Sequence, residues 1–186
     1  MKRLFDLLLV IIAMLVLLLP MLLVALAVWL TSPGLVIHWS DRVGRYNKIF
    51  KMPKFRTMHV DTAPVATHLL SNPDAWLTPI GSFLRKSSLD ELPQFWSILV
   101  GDMSFVGPRP ALFNQHDLIA LRTEQGVHLL LPGLTGWAQV NGRDKLTIHD
   151  KVKLDVAYLQ HQSLAFDVRI LLLTFVKVVR RNEVSH

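Results

Sequence analysis

Cysteine is absent from all 186 residues, which excludes disulfides and thiolate metal sites and removes any need for an oxidising compartment. The eight histidines do not fill that gap, because none falls into a zinc-ligand spacing such as HExxH. GxGxxG and GxxxxGK(S/T) are also missing, so neither a dinucleotide-binding fold nor a P-loop is supported. No internal repeat occurs, and no low-complexity tract beyond a leucine-rich start. Acidic residues are the scarcer charge, 14 against 20 lysines and arginines, and the formal net charge of +6 favours anionic partners: nucleic acid, anionic lipid or phosphorylated small molecules.

Charge is missing altogether from Leu7 to Leu30, a run of 24 residues that as a helix would reach roughly 36 Å against a hydrocarbon core of about 30 Å. With 51% hydrophobic residues, the chain suits membrane association better than free solution. Lys2 and Arg3 ahead of the run would suit a secretory signal. The run is too long for one, however, and no convincing small-x-small cleavage site follows it. Pro20 removes a backbone donor near the middle and favours a kink. Lys2 and Arg3 lie on one side of the run; Arg42, Arg45, Lys48, Lys51, Lys54 and Arg56 lie on the other. Positive charge on both sides fits a hairpin with both ends on the cytoplasmic face, with a simple kinked span as the alternative.

The turn Thr31-Ser32-Pro33-Gly34 closes this segment. Runs at Leu35–Trp39 and Ile49–Phe55, around Gly44-Arg45-Tyr46-Asn47, predict a small β-hairpin that Pro53 weakens. Residues 59–74, with Pro64 and Pro73, read as an irregular loop. A short helix is expected over Leu77–Leu84. Asp90 or Ser88 would then cap a helix from Glu91 to Leu99, with Pro93 in its first turn and Gly101 as its stop. Ala111–Gln125, His149–Gln160 and Phe166–Arg181 read as further helices. The last carries a broad apolar surface through Val168, Ile170, Phe175 and Val178, beside Arg169, Lys177, Arg180 and Arg181, and suits either core or membrane interface. The five tryptophans read as packing or interface anchors rather than a platform for stacking bases.

Two short stretches carry the chemistry. Ser87-Ser88-Leu89-Asp90-Glu91-Leu92-Pro93-Gln94 holds adjacent carboxylates, and Gly101-Asp102-Met103-Ser104-Phe105-Val106-Gly107-Pro108-Arg109-Pro110 follows it. Ser88-x-x-Glu91 matches a capping box, which would make the pair structural. Alternatively, one carboxylate attacks phosphorus or holds a metal while its neighbour handles a proton. Arginines close by would neutralise phosphate oxygens. Arg109 is fixed between two prolines that restrict its backbone.

Together with Lys54-Phe55-Arg56-Thr57-Met58 upstream and Pro132-Gly133-Leu134-Thr135-Gly136 downstream, these motifs resemble the bacterial monotopic phosphoglycosyl transferases over nearly the whole chain. The resemblance implies a mostly helical α+β fold. A re-entrant membrane helix over residues 1–34 would precede a membrane-associated catalytic domain over 35–186, with a short β-hairpin, interfacial amphipathic helices and a place on the cytoplasmic face of a bacterial inner membrane. Leu19 departs from the family's pattern, which has serine before the proline. The resemblance further implies transfer of sugar-1-phosphate from a UDP-sugar to undecaprenyl phosphate, with release of UMP, as the initiating step of a surface glycan. Asp90 would be the nucleophile and Glu91 its acidic partner. Lys54, Arg56, Arg85 and Arg109 would bind substrate phosphate. Arg42, Gln139, Asn141 and Arg143 are weaker candidates for nucleotide or sugar. Mg²⁺ would be held weakly, chiefly by Asp90. No nucleic acid is expected as a partner, and the donor sugar and self-association are left open. The rival reading is a basic, membrane-tethered module that binds anionic lipid or nucleic acid without turnover.

Overall fold

Thirty residues, Lys2–Thr31, form one continuous helix, α1, with Pro20 inside it. The computed structural model describes residues 1–62, 73–142 and 145–180, a mostly helical α+β chain with two small sheets. Most large side chains of α1 face outward, Leu8, Ile12, Leu15, Leu19, Leu22 and Leu26 among them, while Asp6, Val10, Val24 and Val28 form its buried stripe. An apolar helix with so little of itself covered needs a non-aqueous surrounding, which associates the chain with a membrane.

Polar contacts tie both ends of α1 to the folded domain. Lys2 Nζ donates to Asp167 Oδ2 at 2.6 Å, and Arg3 donates to the carbonyls of Ile98 and Leu99. Buried Asp6 accepts from Ser104 Oγ at 3.1 Å and from the Phe105 N–H at 3.2 Å. At the other end Arg56 Nη2 donates to both the carbonyl and Oγ of Ser32, each at 2.8 Å. A cation placed where helix carbonyls run out of partners is favourable there.

The expected hairpin is present and longer than the sequence suggested, with β1 at Ile37–Val43 and β2 at Ile49–Phe55 antiparallel to it. Pro53 is tolerated because β2 is an edge strand, with β1 as its one neighbour in the sheet. The first departure follows: the short helix expected over Leu77–Leu84 is α2 at Gly81–Ser87. The second concerns the acidic pair. Ser88 is left-handed (φ 58°), caps nothing with its side chain, and leads into a 3-10 turn at Leu89–Gln94 rather than an α-helix; α3 begins only at Phe95 and runs to Val100. Gly101 ends it at φ 100°, as expected.

Next, Ser104–Val106 (β3) pairs in parallel with Gly133–Thr135 (β5), while Ala111–Leu112 (β4) joins β1 through Arg42 and Val43. The helix expected from Ala111 therefore starts late, as α4 at His116–Glu124. Its two apolar leaders are used as strand. Short α5 (Trp137–Val140) precedes α6 (Ile148–His161) and α7 (Leu164–Arg180). One core gathers Val10, Met52, Ile98, Met103, Tyr158 and Ile170, so α1, β2, α3, α6 and α7 meet in it. In α7 the apolar surface is divided: Ile170 is fully buried in the core while Leu172, Phe175 and Val178 are exposed.

The parallel pair needs glycine for a steric reason. A Cβ on Gly133 would strike the backbone of Gly107 and Thr135, and one on Gly107 the backbone around Leu131 to Gly133. Gly133→Ala is expected to cost about 3 kcal/mol or more, a fall of roughly 6–12 °C in Tm for a chain of this size. Thermal unfolding in detergent checks it; an unchanged Tm would mean the two strands can separate freely.

Candidate active site

Four segments converge: the hairpin, the Leu89–Gln94 turn, the Pro108–Pro110 loop and α2. Strand alternation puts His38, Ser40 and Arg42 on one face of β1. The register sets Lys54 opposite His38, so Lys54 shares that face. The tight 3-10 turn then turns Asp90 inward, leaving it 7% exposed, while Glu91 reaches Arg109 Nη2 at 2.7 Å. The acidic pair is thus not a cap. One member is buried and the other holds an arginine.

The electrostatics of the cluster follow from burial. Asp90 is raised from its ordinary 3.8 to about 6, by burial first and by Glu91 second, against the pull of Lys54, Arg85 and Arg109. Lys54 is lowered to about 8, by burial and then by Arg42, with Asp90 opposing. Arg42 is lowered to about 10, by burial and by Arg109, with Glu91 opposing. Burial, then Lys54 and Arg42, push His38 down from its usual value. Titratable groups shifted by burial and by one another make this cluster the candidate functional site.

Of the residues singled out in the sequence, Asp90, Glu91, Lys54, Arg85, Arg109 and Arg42 are brought together by these mutual influences. Arg85 Nε also donates to Thr57 Oγ1 at 3.0 Å, which ties α2 to the end of β2. Arg56 goes elsewhere: it is buried under the C-terminal end of α1, with Nε and Nη1 lacking partners. Gln139 on α5 has neither amide atom partnered although both are buried, a costly state that a bound ligand would relieve. Asn141 Nδ2 donates to the Trp137 carbonyl at 2.7 Å and so stabilises its own turn. Arg143 and most of the 59–74 loop lie outside the described residues.

Sequence reasoning missed His38, which β1 alternation with Arg42 would have flagged, and Arg122 with Asp155. Those two form a buried ion pair at 2.7 Å across 33 positions. No local spacing predicts it.

A metal would find few fixed ligands, since no trio of His, Cys, Asp or Glu is grouped for one among the described residues. The adjacent carboxylates, one of them raised by the other, fit an ion that takes most of its oxygens from substrate and water.

A buried, raised carboxyl beside an Arg-held glutamate and three further cations, Lys54, Arg85 and Arg42, makes this cluster the candidate site for an anionic ligand. The chain belongs to the bacterial sugar transferase family, whose profile matches residues 1–181. It is 40% identical over 186 residues, 96% of its length, to a UDP-glucose:undecaprenyl-phosphate glucose-1-phosphate transferase of Xanthomonas campestris pv. campestris. It is 40% identical over 158 residues, 78% of its length, to the galactosyl transferase CpsE of Streptococcus agalactiae. A sugar transferase of Bacillus subtilis, EpsL, described as uncharacterized, is 44% identical over 140 residues, 74% of this chain and 67% of that one. The chain spans little more than a third of the first two relatives, 38% and 35% of their lengths.

Proposed function

We propose that the protein transfers sugar-1-phosphate from a UDP-sugar to undecaprenyl phosphate, releasing UMP and beginning assembly of a surface glycan. The observation that carries this reading is Asp90: a nucleophile-bearing carboxyl, buried, raised to about 6 and ringed by Lys54, Arg85 and Arg109. Ionised Asp90 forms an oxygen–phosphorus bond to the β-phosphorus, and the bond from that phosphorus to the bridging oxygen breaks. Its electron pair leaves with UMP. The lipid phosphate oxygen then attacks the same phosphorus, and the aspartyl bond breaks to restore the carboxylate. Lys54, Arg85 and Arg109 neutralise the oxygens that gain charge. Glu91 holds Arg109 in position at 2.7 Å. Mg²⁺, with Asp90 as its chief protein ligand, would supply Lewis-acid neutralisation of the diphosphate. Gln139 is the candidate contact for nucleotide or sugar.

Both ends of α1 are bound to one folded domain, through Lys2 and Arg3 at the start and Ser32 at the end. Crossing a hydrocarbon core of about 30 Å would set those ends on opposite sides. The tethers therefore favour an anchor whose two ends stay on one face, and the positive charge on both sides of it favours the cytoplasmic one. The natural absence of cysteine makes the test direct. Single cysteines placed at Met1 and at Leu35 are both expected to react with an impermeant thiol reagent only when the cytoplasmic face is open; opposite accessibility would mean a span.

The reaction is tested with purified protein, Mg²⁺, undecaprenyl phosphate and a panel of UDP-sugars beginning with glucose and galactose. UMP release that requires the lipid phosphate is the expected result. Salt-dependent binding of anionic lipid, with no UMP from any donor, would favour the non-catalytic module instead.

A further inference from the structure

We infer that Arg122 and Asp155 are positioning residues, which fix the direction of Arg109 by holding its backbone carbonyl. The inference rests on Arg109 being part of the phosphate-binding site proposed above.

Pro108 and Pro110 have no N–H, so the Pro-Arg-Pro loop must be held mainly through its carbonyls. All three are held, each from a different element. The Gly133 N–H donates to the Pro108 carbonyl at 2.9 Å. Arg42 Nη1 donates to that of Pro110 at 3.3 Å. Between them, Arg122 Nη1 donates to the Arg109 carbonyl at 2.8 Å, the shortest of the three and charge-assisted.

Arg122 is itself locked. Its Nε and Nη2 both donate to Asp155 Oδ2, at 2.9 and 2.7 Å. Asp155 is 1% exposed on α6; burial pushes its carboxyl up and Arg122 pulls it back. The rigid guanidinium fork thus has one edge on α6, and its remaining arm on Arg109, which pairs with Glu91. An ion pair serving only to join α4 to α6 would need the first edge and not the third bond. The extra bond carries the inference: α4 and α6 set the backbone from which Arg109 reaches Glu91, 2.7 Å away.

The test uses the full chain in detergent. Arg122→Met with Asp155→Leu replaces a buried ion pair by an apolar pair, a change that cores often tolerate without loss of stability, while removing the bond to the Arg109 carbonyl. Asp155→Asn keeps an oxygen that accepts from Arg122. Two readouts are taken. One is the side-chain Nε–Hε resonance of Arg109 in ¹⁵N-arginine-labelled protein, assigned by its loss in Arg109→Lys. The other is the KM and kcat for UDP-sugar. In the folded double variant the Arg109 resonance is expected to shift or broaden and kcat/KM for UDP-sugar to fall about tenfold or more. Asp155→Asn is expected to retain the resonance. A double variant with wild-type Tm, an unmoved Arg109 resonance and unchanged kcat/KM overturns the inference. A wild-type protein that releases no UMP overturns the functional reading alone, and the resonance still decides the positioning.

Discussion

Asp90→Asn is expected to abolish UMP release and at the same time to make the protein more stable at pH 8. The loss of turnover follows from chemistry: an amide has no anionic oxygen to bond phosphorus, and a fall of at least about 10³-fold is expected for a missing nucleophile. The gain in stability follows from linkage. Asp90 is raised from 3.8 to about 6 in the folded chain, so the folded state holds that proton more tightly than the unfolded one. The stabilisation is complete below about pH 4, fades as the pH rises through 6, and is absent above it, where a buried charge must be carried. A shift of about two units corresponds to roughly 2–3 kcal/mol. Asparagine carries no charge at any pH, so the variant should gain on the order of 2 kcal/mol at pH 8, or about 4–8 °C in Tm. That gain should disappear near pH 4. Thermal unfolding at the two pH values, beside the UMP assay, measures both effects. A variant less stable than wild type at pH 8 would mean that Lys54, Arg85 and Arg109 overcompensate the carboxylate. Turnover surviving in the variant would sink the covalent route.

How much of this could be read beforehand depended on whether the signal was local. The charge-free run gave α1, because no other element uses 24 residues without charge. The hairpin was visible through its turn. Boundaries failed where a local pattern served a distant partner. Ala111 and Leu112 continue the helical spacing of α4, yet their backbones pair with Val43 and Arg42 almost seventy positions away in β1. Ser88-x-x-Glu91 has the letters of a capping box, but the left-handed Ser88 turns the chain so that Asp90 is buried and Glu91 meets Arg109. Composition could place Arg56 beside Lys54 in one motif. It could not show that Arg56 reaches Ser32 at the end of α1 while Lys54 feels Asp90. The motif thus serves two sites: its lysine the cluster, its arginine the anchor. Arg122 and Asp155 sit on separate helices, thirty-three positions apart, and only the packing of α4 on α6 joins them.

The pH profile should be bell-shaped, and Lys54 should control its alkaline side. Asp90 must be ionised to attack, so kcat/KM rises through about 6. Lys54 must be protonated to neutralise a phosphate oxygen, so activity falls through about 8. These limbs report the free enzyme, and the active form, anionic Asp90 with cationic Lys54, is most abundant near neutrality. In Lys54→Arg the guanidinium stays charged across the range, so the alkaline limb should move out beyond pH 9 even if the maximum drops, since a planar fork replaces a point charge. Lys54→Met makes the opposite case. Loss of a phosphate contact should lower kcat/KM by about 10²-fold or more. Because Lys54 pulls the Asp90 carboxyl down, its removal should also carry the acid limb to higher pH. An alkaline limb that stays near 8 in Lys54→Arg would assign that proton to another group. A structural lysine could explain a lower rate, but it would not move the acid limb upward while removing the alkaline one. The paired displacement therefore distinguishes a lysine in the phosphate site from one that only supports the hairpin.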